Sequence, residues 1–370
     1  MTRKELNLSI FEGKASKVLW QPRLEEWIFR NKANNTLPER FKDMEYFEFY
    51  DHLKCSVRYA ASAGLEVKHN ENSHIKFTEE LIGNQMLRHT HTPIGKLTTT
   101  YHLVFDEKGK VINERIEKFP VKTPEDLKIA TYVINNCEVS SNLSVFKEYA
   151  DNMGHRGEPT MFLTSSGFTE LVKHHAGLLN TMYLNVDYPE AIEEFLEACD
   201  ERDNKFVDAA LKLPCKIFNL GDHATDEFTP PPLLKKYMLP RWQKISKKLH
   251  DNNRFVHSHW DGNSKTILPY LMESGLDSVE ALTPAPMGNI TLEEIKNAVG
   301  DKLVCLDLIP AIYFLPNFKT SDLLDFTKKV IDMFAPKLIL GVSDEISSVG
   351  EIEKIEAVSE LVDNICGLAD

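Results

Sequence analysis

The stretch VHSHWDGN, residues 256–263, sets His257, His259 and Asp261 at alternate positions of what reads as the end of a β-strand. Side chains two apart on a strand leave from the same face, so all three can converge. Imidazole is the commonest metal ligand, and two imidazoles in an otherwise apolar run are costly to bury without partners. The spacing predicts a metal centre with nitrogen and oxygen donors. Neighbouring strand ends bring further acids and an imidazole to the same rim: Asp222 and His223 close one, Glu280 and Asp307 lie on two more, and Asp344 with Glu345 ends another. Taken singly, Asp222, Asp261 and Ser343 each stand where a helix cap belongs. It is their gathering at one rim that points to chemistry.

That rim needs a scaffold, and the second half of the chain supplies one by alternation. TMFLTSS (160–166), CKIFNLGD (215–222), RFVHSHWD, LDSVEAL, KLVCLDLI and KLILGVSD read as strands. Between them come runs with helical spacing, among them PEAIEEFLEACDERDNKFVDAALKL, SKTILPYLMES and TSDLLDFTKKVIDMF. Thr291 with Glu294 three positions on forms a capping box for TLEEIKNAV. Strands apolar on both faces, each followed by a helix, predict a parallel sheet covered by helices. The fold class expected is α/β, a (β/α)8 TIM barrel in which function gathers at the C-terminal ends of the strands. No glycine-rich phosphate loop opens any of these helices.

The first 150 or so residues are less regular. A single domain over 1–370 is expected, with a helical segment at 1–50 and a β-hairpin insertion at 86–119 that turns at DEKGK. His91 in that hairpin reads as a surface strand residue or a substrate contact. His174 and His175 read as structural.

Bulk properties bound the partners. Lys and Arg number 43 against 56 Asp and Glu, a net charge of −13, which argues against nucleic acid and anionic membranes. The six cysteines lie far apart without a C-x-x-C, so neither a disulfide framework nor a thiolate zinc knot is expected. MTRKELNLSIFEGK has no apolar signal segment, and a cytoplasmic location is expected.

Several segments carry a resemblance: PTMFLTSSGFTELV, NLGDHATDEFTPPPLLKKYMLPRW, HWDGNSKTILPYLMESGLDSVEAL, LILGVSDEISSVGEIEKIEAVSELV and, near the start, KVLWQPRLEEW. Over most of its length the chain resembles the uroporphyrinogen decarboxylase superfamily, more closely its zinc- and cobalamin-dependent methyltransferase branch. The decarboxylase branch has an arginine-rich opening segment, whereas here Arg23 is the only arginine in VLWQPRLEEW. In the methyltransferase branch a His and two Cys hold zinc. The resemblance lays His259 on the histidine, Asp261 on the first cysteine and Asp344 at or near the second, so both thiolates are replaced by oxygens.

The resemblance implies a His/carboxylate zinc acting as Lewis acid. Glu280 is expected to complete it with His259, and His257 is either a third ligand or a residue one layer deeper. Asp261 or Asp344 would orient an imidazole. It implies methyl transfer from a small, methoxylated aromatic or related donor to the cobalt of a separate corrinoid protein, since the chain has no corrinoid motif of its own. Asp222 or Glu227 would protonate a leaving group or hold the substrate, and Trp20, His91, Trp260 and Tyr313 would line the substrate site. A metal-free decarboxylase and a ligand-binding barrel without turnover stand as the other readings.

Overall fold

A computed structural model describes residues 1–59, 62–106 and 109–367. Among them the strands are, in chain order, β1 (Leu19–Trp20), β2 (Leu65–His69), β3 (Lys76–Ile82), β4 (Gln85–Thr92), β5 (Gly95–Phe105), β6 (Val111–Lys118) and β7 (Cys137–Ser141). They continue with β8 (Thr160–Phe162), β9 (Ile217–His223), β10 (Phe255–His259), β11 (Ser278–Glu280), β12 (Val304–Pro310) and β13 (Leu338–Ser343). The chain forms two compact units. The first comprises Met1–Gly64, Leu143–Leu163 and Leu213–Asp370, and the second Leu65–Asn142 and Thr164–Lys212.

The first unit is built on a seven-stranded sheet in the order β1-β13-β12-β11-β10-β9-β8, parallel throughout. Its strands are apolar on both faces because both faces are covered. Every residue of β12 and β13 is buried, and helix Thr320–Phe334 packs on both. Residues 56–59 lie between the sheet's outer strands. Ser56 N donates to Trp20 O at 2.8 Å, and Thr160 N donates to Arg58 O at 2.9 Å. Helix Arg3–Phe11 packs Leu6 and Ile10 against Leu19, Leu306 and Ile339.

The alternation read from the sequence corresponds to this sheet, with some elements shorter: TMFLTSS yields only Thr160–Phe162 and LDSVEAL only Ser278–Glu280. SKTILPYLMES yields only a 3-10 turn, Leu268–Glu273, with Pro269 at its second position and Gly275, whose φ is +79°, just beyond its end. Among the described residues no helix is long and apolar enough to cross a membrane.

The second unit holds an antiparallel sheet, β3-β4-β5-β6, and a two-stranded pair, β2 with β7. Helices Pro124–Asn135 and Pro189–Ala210 pack together over a core that includes Leu97, Leu127, Ile192 and Phe195. The hairpin expected at 86–119 is therefore a correction: the sheet has four strands and begins at Lys76. β3 is exposed along its whole length and carries Lys76, Glu79 and Glu80, so it shows no apolar alternation to announce it. Of the predicted DEKGK turn, Glu107 and Lys108 lie outside the described residues. The helix that opens at Gly167 gives way to a π-type turn, Leu171–His175. Gly177 follows with φ +74°, where a Cβ would stand 2.7 Å from the Phe119 ring.

His175 sits edge-on to Phe195, with ring centroids 5.3 Å apart. Burial, with help from His174 and Arg202, pushes its imidazole down from 6.5 to about 4. The unfolded chain therefore takes up a proton at His175 between about pH 6.5 and 4 that the folded chain does not. Folding stability is complete above that window and falls as the pH drops through it. We expect urea unfolding free energies between pH 7 and 4.5 to show the wild type losing about 2 kcal/mol more than His175→Gln. Equal pH slopes would refute this.

Candidate metal centre

β9, β10 and β11 are adjacent and parallel, so their C-terminal ends share one edge of the sheet. His259 pairs with Glu280 of β11 on one side. On the other, a register shift between His257 and His259 brings His259 level with His223 of β9. His223 and His259 stack with centroids 5.2 Å apart. Asp261, two residues past the strand, returns toward both: its Oδ1 is 2.7 Å from His223 Nε2, and its Oδ2 is 3.9 Å from His259 Nε2. Asp344, after β13, brings Oδ1 to 3.9 Å from the same His259 nitrogen.

Behind His259 the contacts are tight. His259 Nδ1 is 2.7 Å from Glu280 Oε1, so with the proton on Nδ1 the ring donates there and turns Nε2 forward. Glu280 is buried and fully engaged. Asn219 Nδ2 also donates to Oε1 at 3.2 Å, while Arg58 Nη1, at 3.1 Å, and the Tyr59 hydroxyl donate to Oε2. Arg58 is held in turn by Asp307, and its Nε donates to Gln21 Oε1 at 2.8 Å. Asp307, at φ +80°, also accepts from Ala281 N.

These contacts set the charges. Burial opposes the charged form of His259, but the Asp261, Glu280 and Asp344 carboxylates outweigh it and push the imidazole up to about 10. Burial also opposes ionisation of Glu280; His257, His259 and Arg58 overcome it and hold the carboxyl well below the usual range. Asp261 is likewise lowered, with burial outweighed by His223 and His259. His257 goes the other way: burial drives it down to about 4, so it is neutral.

Do these residues suit a divalent ion? His223, His259 and Asp261 offer one ligand atom each within 4.8 Å of one another. Asp261 Oδ1 is buried and makes no hydrogen bond, its approach to His223 being out of line for one. Two imidazoles and a carboxylate with an open side form a borderline-hard donor set that suits zinc. The residues fit.

The placement departs from the sequence expectation at several positions. Glu280 has both oxygens taken by protein donors, so it orients His259 instead of facing an ion. His257 is the deeper residue of the two alternatives, fully buried, with neither ring nitrogen hydrogen-bonded. Asp344 is partly exposed and held by Arg23 Nη1 at 2.5 Å. Asp222 is buried and accepts from Trp242 Nε1 at 2.7 Å and Arg241 Nη1 at 3.1 Å. Glu227 is exposed and accepts from Asn263.

Trp20 is corrected too: it points to the helix layer, where Nε1 donates to Ser359, while Gln21 beside it turns toward Arg58. Trp260 is fully buried against Trp242, 5.6 Å between centroids. Tyr313 packs on Phe318 and Phe326. His91 belongs to the second unit, where Nε2 pairs with Thr78 Oγ1 at 3.1 Å. Sequence reasoning did not count His223 among the ligands, nor did it find Arg58, Tyr59 and Asn219. His223 had a signal, its place at a strand end beside Asp222. SVRYA had none.

No protein-family model matches this chain, and no curated protein does. Among solved structures it is similar to a methyltransferase from Methanosarcina mazei, with 12% identity, 98% of this chain and 99% of that one covered, and a TM-score of 0.59. A B12-independent methionine synthase from Shewanella sp. W3-18-1 aligns at 9% identity over 95% and 97% of the two chains, with a TM-score of 0.38. The first of these establishes a shared fold.

Arg58 neutralises two buried carboxylates at once. Arg58→Met should therefore cost about 3–5 kcal/mol of folding stability, read from a denaturant midpoint at unchanged slope. Adding Asp307→Asn should return part of that loss. A single variant as stable as the wild type would show that the network carries no such weight.

Proposed function

We propose that this chain is the methyltransferase component of a corrinoid-dependent system. It takes a methyl group from a small methoxylated donor, aromatic donors included, to the cobalt of a separate corrinoid protein. The observation that carries the reading is the convergence of His223, His259 and Asp261, with His259 aimed by a buried Glu280. The fold shared with the Methanosarcina methyltransferase and the segments quoted above support it. They also support a (β/α)8 barrel in which residues 56–59 stand in for an eighth strand.

His223, His259 and Asp261 would hold zinc, with Asp344 near enough to join them. When bound, the ion supplies a Lewis acid for the negative charge that grows on the ether oxygen as its bond to methyl breaks. Glu280 keeps His259 in the Nδ1–H tautomer, which leaves Nε2 as the ligand atom. Arg58 keeps Glu280 ionised for that task. Arg23 anchors Asp344 and Glu345 at the rim. The reading places the protein in the cytoplasm, with the corrinoid protein as its partner.

Both guanidiniums near the centre, Arg23 and Arg58, are already committed to carboxylates. A polycarboxylate substrate finds no partner in them, and this favours methyl transfer over porphyrinogen decarboxylation.

Purified protein should contain about one zinc per chain by mass spectrometry. His259→Ala and Asp261→Ala should lose it, and Glu280→Gln should weaken it about 10–100-fold. With a reduced corrinoid protein and a panel of methyl ethers, the Co(I) absorption should convert to that of methyl-Co(III). Undiminished turnover after exhaustive chelation would end the zinc reading, and silence across the whole panel would end methyl transfer.

A further inference from the structure

In the second unit one strand leaves apolar side chains in water at both of its ends. β6 closes one side of the antiparallel sheet, pairing with β5 and, among the described residues, with no other strand. At its start Val111 and Ile112 are exposed. Past its end the chain runs through Phe119 and Pro120 to Val121, which is buried in the unit's core. Helix Gly177–Asp187 is tied to that point: Asn180 Nδ2 donates to Val121 O at 3.0 Å, and Val121 N donates to His175 O at 2.9 Å. Phe119, Leu178, Leu179 and Tyr183 line an open groove of about 370 Å³ there, with Leu179 and Tyr183 each more than half exposed. Contiguous apolar patches of this kind mark contact sites.

Between its two ends β6 carries Glu114, Arg115, Glu117 and Lys118, all exposed. Glu114 pairs with Arg88 and Glu117 accepts from Gln85, but among the described residues Arg115 and Lys118 make no ion pair. Residues equally far from a two-fold axis on an antiparallel pair lie side by side. With the axis near Ile116, Arg115 meets the copy's Glu117 and Lys118 meets its Glu114. The same axis sets the copy's Val111 and Ile112 beside Pro120 and Val121, at the groove. It stands perpendicular to the sheet, so the helix-bearing faces of both copies stay on one side. Val111 is on that side, since it pairs with Phe105, which shares a face with Leu97 of the helix core. Bulges at Ile112 and Glu117 kink the edge, and Glu114 N is already taken by Asn113 Oδ1. Side chains therefore carry the contact, not a continuous backbone ladder.

We propose that the open side of β6 and the groove beside Phe119 form a two-fold interface with a second copy of this chain. Each copy supplies both halves, the apolar pair Val111 and Ile112 and the groove that receives it, so two copies close the contact and leave neither half spare. Two unpaired cations per copy meet carboxylates at the same time. A strand edge and one helix face are small beside obligate interfaces, so a dissociation constant on the order of micromolar is expected. The interface is independent of the chemistry at the metal centre.

Sedimentation velocity of the full chain tests this, with melting temperatures measured alongside. The wild type should pass from monomer to dimer over about 1–100 μM. Ile112→Asp and Leu179→Asp, at opposite ends of the strand, should each weaken the dimer about 10-fold or more at an unchanged melting temperature. Arg115→Glu sets acid against acid and should weaken it by about 10-fold. Adding Glu117→Arg to Arg115→Glu exchanges the two charges and should restore the affinity. A wild type that stays monomeric up to about 100 μM would overturn the proposal. So would a dimer that all three single variants leave intact, or a charge exchange that recovers no affinity. Growth into larger, open-ended species would rule out the two-fold arrangement.

Discussion

The centre depends on one buried carboxylate. An ionised glutamate out of contact with water is tolerated only when charge and hydrogen bonds replace the water it has lost, and Glu280 collects donors from four places to do so. They come from His259 on β10, Asn219 on β9, and both Arg58 and Tyr59 in the segment beside β8. Each donor is fixed in its turn: Arg58 by Asp307 and Gln21, and Asn219 by its bond from Gly221 N. The requirement to satisfy one anion thus aligns the ends of several strands, and the direction of His259 Nε2 follows from it.

The scaffold could be read from the sequence because its signal is redundant. β12 and β13 are apolar at nearly every position, and a strand buried on both faces of a parallel sheet needs little else to declare itself. Phase was harder. β1 has two residues, and no alternation over that length tells Trp20 from Gln21, yet one turns to the helices and the other to Arg58. β3 is hard to read for the opposite reason, since this exposed edge strand mixes Lys76, Glu79 and Glu80 with Phe77 and Leu81 and neither face alternates cleanly.

The centre itself was half legible. His259 and Asp261 announce themselves by type and spacing within one strand. His223 comes level with His259 only because the pairing of β9 with β10 shifts by two residues between His257 and His259, and a shift of register between two strands is written in neither strand alone. Glu280 is legible as an acid at the strand end, but not its partners. Its identity shows that an acid stands at the strand end, whereas the donors that occupy both its oxygens come from residues 58, 59 and 219, far off in sequence.

The charge balance bears on whether oxygen and nitrogen donors alone could hold a divalent ion here. Around His259 lie the carboxylates of Asp261, Glu280, Asp307, Asp344 and Glu345, against the guanidiniums of Arg23 and Arg58. Carboxylate oxygen binds a borderline ion less softly than thiolate does, but an excess of anionic groups in a partly buried pocket compensates through its field. In the protein alone His259 answers that field by holding a proton to about pH 10. A divalent ion at Nε2 would replace that proton and offset more of the same charge, so the cluster that makes His259 basic would equally favour it as a ligand under the proposed reading.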